Sequence, residues 1–312
     1  MYEIILGAIS LGLLWGIMTL GVYLTYRILD VADLSVEGTI ALGGAVCARM
    51  IAGGSNPWIA TLCAVCAGLL GGLITGLLHT KLKIPALLSG ILTMIALYSI
   101  NLRVMGKSNT PLIRLTTVFT PLEKLGLSKS MSALILGFIL VLLVSMITYW
   151  FFGTELGSAI RATGNNQNMV RAQGIHTGTM IILGLVISNG LVALSGALIS
   201  QYQSFADVQM GTGSIVIGLA SLIIGEVLIG TKTFKRTLFA LALGAVLYRI
   251  IIAFVLYFGM NANDLKLFTA ITVAFCLSLP MMKAGFKAKW SKPKSQKPSD
   301  ITKKKKGAQT NA

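Results

Sequence analysis

Apolar residues in this chain come in long runs nearly free of charge, not in the alternating or i, i+3, i+4 patterns of a water-facing domain. A helix needs about 20 such residues to cross about 30 Å of hydrocarbon. Nine runs are long enough or close to it: roughly 4–27, 36–51, 58–80, 84–102, 130–152, 179–202, 213–229, 238–256 and 263–282. The second and seventh hold only about sixteen or seventeen residues, and both begin just after an Asp-containing loop. Short spans of that kind predict broken or re-entrant helices. The expected fold is all-α, a polytopic membrane protein of eight or nine transmembrane helices.

Composition agrees. Of 312 residues 55% are hydrophobic and 12% charged, with mean hydropathy +0.81, against about 25% charged in a soluble domain. Ten acidic residues are too few for the surface of a soluble α/β enzyme. Cys47, Cys63, Cys66 and Cys276 lie in apolar runs, without the polar context of a zinc or redox site, and a secreted disulfide scaffold is excluded. Net charge +16 would point to nucleic acid if it were spread over a surface, but the last thirty residues hold ten Lys against one Asp, which is +9. Residues 283–312 therefore read as a disordered basic tail facing anionic lipid, and residues 1–282 as the membrane domain.

Lys and Arg collect in cytoplasmic loops. With the tail inside, alternation puts Arg27, Lys81, Lys83, Arg161, Arg171, Lys232, Lys235 and Arg236 inside too, eighteen basic residues with the tail. Outside fall Arg49, Lys266 and five in a long 103–129 loop, which leaves Arg249 within a span. The expected topology is N-terminus outside and C-terminus in the cytoplasm of a bacterial cell, with no cleavable signal.

The segment Gly38–Ala45, GTIALGGA, is echoed 175 residues later by Gly213–Ala220, GSIVIGLA. Asp30-Val31 and Asp207-Val208 precede the two copies, and before those stand Tyr26 and Tyr202. One copy's loop is expected inside and the other's outside. That predicts an inverted repeat, about 4–102 and 179–282, of the kind that places a pathway at the repeat interface.

Between the fifth and sixth spans, residues 153–178 read as two short helices broken at Gly164, with Asn165 or Asn166 capping the second and Gly174 ending it. This compact polar hairpin is longer than a connector needs to be. Its Gly157, Ala159, Arg161 and Ala162, followed by Ala172, Gly174 and Ile175, resemble the cytoplasmic coupling segment of permease subunits of ATP-binding-cassette importers, in the group handling branched-chain amino acids and ribose. Ala172 stands closer to Gly174 than in the family form. Asp33-Leu34-Ser35-Val36-Glu37-Gly38 is similar to the D-L-S-V-G signature of sugar-type members, with Glu37 in place of a small residue, which argues against a sugar. Gly218–Glu226 looks most like a subfamily associated with tryptophan or related small substrates.

The resemblance implies a transport subunit and not an enzyme, moving a small polar organic solute such as an amino acid. It also implies an ATP-binding subunit docked on Gly157, Arg161, Ala162, Arg171, Ala172, Gly174 and Ile175, an external substrate-binding protein and a second permease subunit, with no cofactor or metal. The chain's own Gly225–Thr233 segment misses the phosphate-loop spacing by one residue and lacks the strand-loop-helix setting.

Charges within or beside the spans are pathway or gate candidates: Asp33, Ser35, Glu37, Glu226 and Arg249. Arg249 and Glu226 are expected to pair across about 8–9 Å of depth at 1.5 Å per residue. Asp33 is expected to cap the short second span at the inner end of the first two helices, with Glu37 in that span's first turn. The rival reading is an ion-coupled secondary transporter using Glu226 or Asp33, which would have no need of the 153–178 hairpin. A membrane-embedded enzyme lacks clustered catalytic groups, since His79 and His176 are far apart in sequence.

Overall fold

The computed structural model describes residues 2–257 and the helical positions 267, 270, 271, 274 and 278. The ninth expected span, apart from those positions, and the basic tail lie outside the described residues. Among the described residues, seven helices are long and apolar enough to cross a membrane. They are α1 (Tyr2–Tyr23, running on as a π turn over Leu24–Ile28), α2 (Ser35–Ala52), α3 (Pro57–Thr80), α4 (Ala86–Met105), α6 (Lys129–Phe151), α9 (Thr177–Gln203) and α11 (Phe234–Tyr257). The short α10 (Ser214–Ile229) is an eighth apolar helix, and α5 (Thr120–Glu123), α7 (Glu155–Asn165) and α8 (Gln167–Ala172) lie in connections.

Local chemistry sets the ends. Asn56 accepts a hydrogen bond from the Trp58 N–H at 2.9 Å, with Pro57 in the first turn of α3, where a missing N–H costs nothing. Gly106 closes α4 at φ 72°, a backbone conformation that favours glycine.

Helix α9 is the axis of the fold, with α1, α2 and α3 packed around it. Apolar side chains gain nothing by leaving lipid for each other, so these helices associate through close backbone approach. Gly68, Gly72 and Gly76, four residues apart on α3, sit against Ala193, Leu185 and Ile182 of α9, and Gly43 of α2 sits against the Ala193 carbonyl.

The 103–129 connection, expected as an outer loop, is a folded cap on one end of α9. Its strand β1 (Asn109–Pro111) pairs antiparallel with β2 (Phe205–Asp207), placing Thr110 opposite Ala206. The Val118 N–H donates to Gln201 Oε1 at 2.9 Å, and Phe119 is fully buried.

Helices α2 and α10 are discontinuous in a specific way. Helix α1 runs antiparallel to α9, with Ser195 Oγ donating to the Leu14 carbonyl at 2.8 Å, Ser188 Oγ to the Gly21 carbonyl at 2.7 Å, and Leu29 packed on Gly184. The chain then turns back, and α2 starts beside Asn189, about 18 Å from the start of the 27-residue α9 at 1.5 Å per residue. It runs on until Cys47 meets Gln201. Helix α10 begins at the same level, where Gly213 meets Glu37, and runs the opposite way until Glu226 meets Arg27. Each starts at mid-depth, α10 with 16 residues and α2 with 18, long enough to be counted among the spans.

Candidate functional site

The first mid-depth corner is a closed polar network. Asp33 accepts from the Ser35 N–H at 2.9 Å and from Ser35 Oγ at 2.5 Å, while its other oxygen accepts from Asn189 Nδ2 at 2.9 Å. Asn189 Oδ1 accepts from Thr39 Oγ1 at 2.6 Å and Ser35 Oγ at 3.2 Å, and its Nδ2 donates again to the Leu185 carbonyl at 3.1 Å. All of these residues are buried. Buried in a low-dielectric interior, a cluster whose members bond to one another fixes where α2 begins. Asp33 stands one residue before the N-cap position, Leu34, and accepts the first N–H of α2, beside the midpoint of α9 and not at the inner end of the first two helices. Sequence position alone put the turn at the end of α1, whereas the chain folds back into the bundle before α2 starts.

The second corner has little side chain of its own. Gly211 lies against the Glu37 carbonyl so closely that no Cβ fits, and Gly213 takes φ 79° at the start of α10. The N–H groups of that first turn need an acceptor, and Glu37 of α2 supplies it: Gly213 N–H donates to Glu37 Oε1 at 3.0 Å, and the Ile215 N–H also donates to this carboxylate. Glu37 thus stands at the N-terminal ends of two helices at once. Beside it is a cavity of about 320 Å³ whose wall includes Tyr98 and Asn101 of α4 and Thr212.

At the opposite end of α10, Glu226 Oε1 lies 3.4 Å from Arg27 Nε. The expected Glu226–Arg249 pair is therefore not formed. Gly225 packs against Ala240 of α11, nine residues before Arg249, so the two charges differ in depth by about 13 Å at 1.5 Å per residue. The Arg249 guanidinium lies over the Trp15 ring at 4.2 Å instead. Arg27, Glu226, Asp30, Arg161 and Lys232 line a polar cleft of about 590 Å³.

The 153–178 hairpin closes that cleft. Its break falls at Asn166, not Gly164. Asn166 leaves the helical region at φ −157° and its side chain accepts from the Asn168 and Met169 N–H groups, both at 3.1 Å. Gly164 stays helical and lies directly on the Ile28 carbonyl, where any side chain would collide. Arg161 stacks on Phe234 at 4.1 Å and Phe152 at 5.4 Å, and Gly157 packs on the Phe151 carbonyl. Arg171 Nε donates to Thr177 Oγ1 at 2.9 Å, and Gly174 ends the hairpin at φ 81°. Ala162 and Ile175 are half-buried, and Ala172 is exposed.

Of the expected coupling residues, Gly157 and Arg161 hold the hairpin on the bundle, while Arg171, Ala172 and Gly174 are exposed on its surface together with other residues. Leu156 and Met169 are 51% and 47% exposed, next to the polar run 165–168. Sequence reasoning passed over them, and over Asn189, Thr39 and Asn101. The available signal for the last three was a polar side chain inside an apolar run.

Two helices meeting at mid-depth, with a cleft at one end covered by a rigid polar hairpin, define a multi-pass membrane transport protein. Residues 4–277 match the family described as branched-chain amino acid transport system / permease component, and the chain belongs to that family. It is 42% identical over 269 residues to a tyrosine transport system permease protein of Clostridioides difficile, covering 86% of this chain and 88% of that one. It is 34% identical over 282 residues to an uncharacterized protein of Rickettsia prowazekii, covering 88% and 97%, and 28% identical over 244 residues to the inner membrane ABC transporter permease YjfF of Escherichia coli, covering 76% and 70%. No solved structure matches the chain. The chain is accordingly a permease subunit of an ATP-binding-cassette transporter, a transport component whose ATPase is a separate subunit.

Proposed function

We propose that this chain is one half of a permease dimer that carries tyrosine, or a closely related aromatic amino acid, from an external binding protein into the cytoplasm. The observation that carries the substrate is the 42% identity over 86% of the chain to a tyrosine transport system permease. Glu37, at the mid-depth junction in place of the small residue of sugar-type relatives, supports a solute with an ammonium group. The ATPase docks on the hairpin through Leu156, Met169 and Arg171. The hairpin passes its motion to the helices by the contacts of Gly164 with Ile28 and of Arg161 with Phe234. With the basic residues Arg161, Arg171, Lys232, Lys235 and Arg236 at that end, the hairpin faces the cytoplasm and the N-terminus lies outside. The opposed helices α2 and α10 support the inverted repeat.

The test is uptake of labelled tyrosine into proteoliposomes holding the permease with its ATPase and binding protein. Uptake should require ATP and be competed by aromatic amino acids but not by fructose. ATP-dependent uptake of a sugar without tyrosine uptake would overturn the substrate, and tyrosine uptake without the ATPase would overturn the coupling.

A further inference from the structure

The cavity beside Glu37 lies at the level where α2 and α10 begin and opens on the surface of the chain, with Ile95 and Tyr98 59% and 47% exposed at its rim. Its wall carries one acidic residue and, among the described residues, no Lys or Arg. The Glu37 carboxylate spends hydrogen bonds on the Gly213 and Ile215 N–H groups, out of about four lone-pair positions that a carboxylate has. Asn101, fully buried in the same wall, donates to the Gly38 carbonyl at 3.2 Å, and its Oδ1 has no partner among the described residues. A buried amide oxygen without a donor is costly. The remaining wall is apolar and aromatic, from Met94, Ile95 and Tyr98 of α4, with Thr212 at the edge. At about 320 Å³ the cavity stands at the small end of ligand sites, the size for one amino acid.

We propose that this cavity is a selection site within the permease itself for the ammonium end of an amino-acid substrate, held between Glu37 and Asn101, with its side chain against Tyr98. The substrate class rests on the function proposed above; the cation preference rests on the cavity alone. Because Glu37 also caps α10, a bound ammonium competes for the carboxylate that holds α2 and α10 together. Selection and the opening of the mid-depth junction are thereby linked through one side chain.

The experiment places one cysteine, Thr212→Cys, in the full-length permease with Cys47, Cys63, Cys66 and Cys276 replaced, in nanodiscs with its ATPase. Its reaction is followed with a trimethylammonium-bearing and a sulfonate-bearing methanethiosulfonate of similar size. The cationic reagent should react at least about tenfold faster, as a unit charge within about 10 Å gives at an effective dielectric of about 20. Glu37→Gln, which keeps an oxygen acceptor for Gly213, should bring the ratio near one with its melting curve retained. Tyrosine should slow the reaction and its des-amino analogue, 3-(4-hydroxyphenyl)propionate, should not; Asn101→Leu should lower tyrosine protection whether or not Glu37→Gln folds.

Equal rates for the two reagents, or a ratio unchanged by Glu37→Gln, overturn the site. So does a cysteine that no ammonium-bearing solute protects. Protection by another amino acid but not by tyrosine leaves the site standing and overturns only the proposed substrate.

Discussion

The two corners where α2 and α10 begin do the same topological job with opposite means. The corner at 29–38 is built from side chains that satisfy each other, with Asp33, Ser35 and Thr39 gathered on Asn189. The corner at 204–214 has Asp207 accepting from the Gln209 N–H, but at 211–213, where α10 begins, it is backbone, with Gly211 and Gly213 allowing a close approach and a positive φ and the cap borrowed from Glu37 across the junction. Both corners lean on the other half of the chain, the first through Asn189 of α9 and the second through Glu37 of α2. The first is held there by several side-chain hydrogen bonds and the start of α10 by a single carboxylate, so the contact between the corners costs less to part at Gly213 than at Asn189.

The largest expected effect comes from destroying the network on Asn189. Asn189→Leu strips a donor from buried Asp33 and an acceptor from Thr39, at a cost of about 3 kcal/mol or more. At about 2–4 °C per kcal/mol, the detergent-solubilised melting temperature should fall by roughly 6–12 °C. Adding Asp33→Asn, which removes the stranded charge, should restore part of that loss. A single variant that melts like the wild type would show that the network does not hold the corner.

Next in size is Gly211→Ala at the other corner, where the new methyl meets the Glu37 carbonyl and costs about 1–3 kcal/mol. Uptake should suffer more than stability here, because the displaced segment is the junction itself. Equal losses in both would remove the distinction between the corners. Glu37→Ala should cost about 0.5–2 kcal/mol, the value of a lost cap, and Glu37→Gln less, since the amide oxygen still accepts from Gly213. If the two substitutions melt alike, the capping bond contributes nothing.

At the hairpin, Arg161→Ala removes a stack on two aromatic rings worth about 0.5–2 kcal/mol. Copurification of the ATPase should fall by a factor of about 2–30, the equilibrium equivalent of that energy if loosening the hairpin is the whole effect. Leu156→Ser together with Met169→Ser should reduce copurification without moving the melting temperature. The smallest effect is expected of Arg27→Met. Its guanidinium is 56% exposed, so the 3.4 Å contact with Glu226 contributes at most about 1 kcal/mol after screening by solvent. A large stability loss there would mean that the cleft carries load.

The limits of sequence reading are visible in particular residues. Arg249 and Glu226 are the charged residues nearest in depth by position along the chain, yet α10 and α11 pack with Gly225 against Ala240, and that offset sends Arg249 to Trp15. The hairpin was legible because its capping Asn and terminal Gly act within a few residues of where they stand. The roles of Gly164 and Arg161 were not, since Ile28 and Phe234 come to them from other helices.

Residue order alone placed the described spans, made α10 short, and marked the polar hairpin that interrupts the apolar pattern. All three follow from hydrophobicity and length counted along one segment, which lipid enforces without reference to neighbours. Only the tertiary structure decided that α2 and α10 start at mid-depth and which polar groups meet there. Asp33 with Asn189 and Glu37 with Gly213 are 156 and 176 residues apart. Their meeting depends on how far each helix slides along α9, an axial offset set by glycine contacts between helices and carried by no periodicity within any one of them.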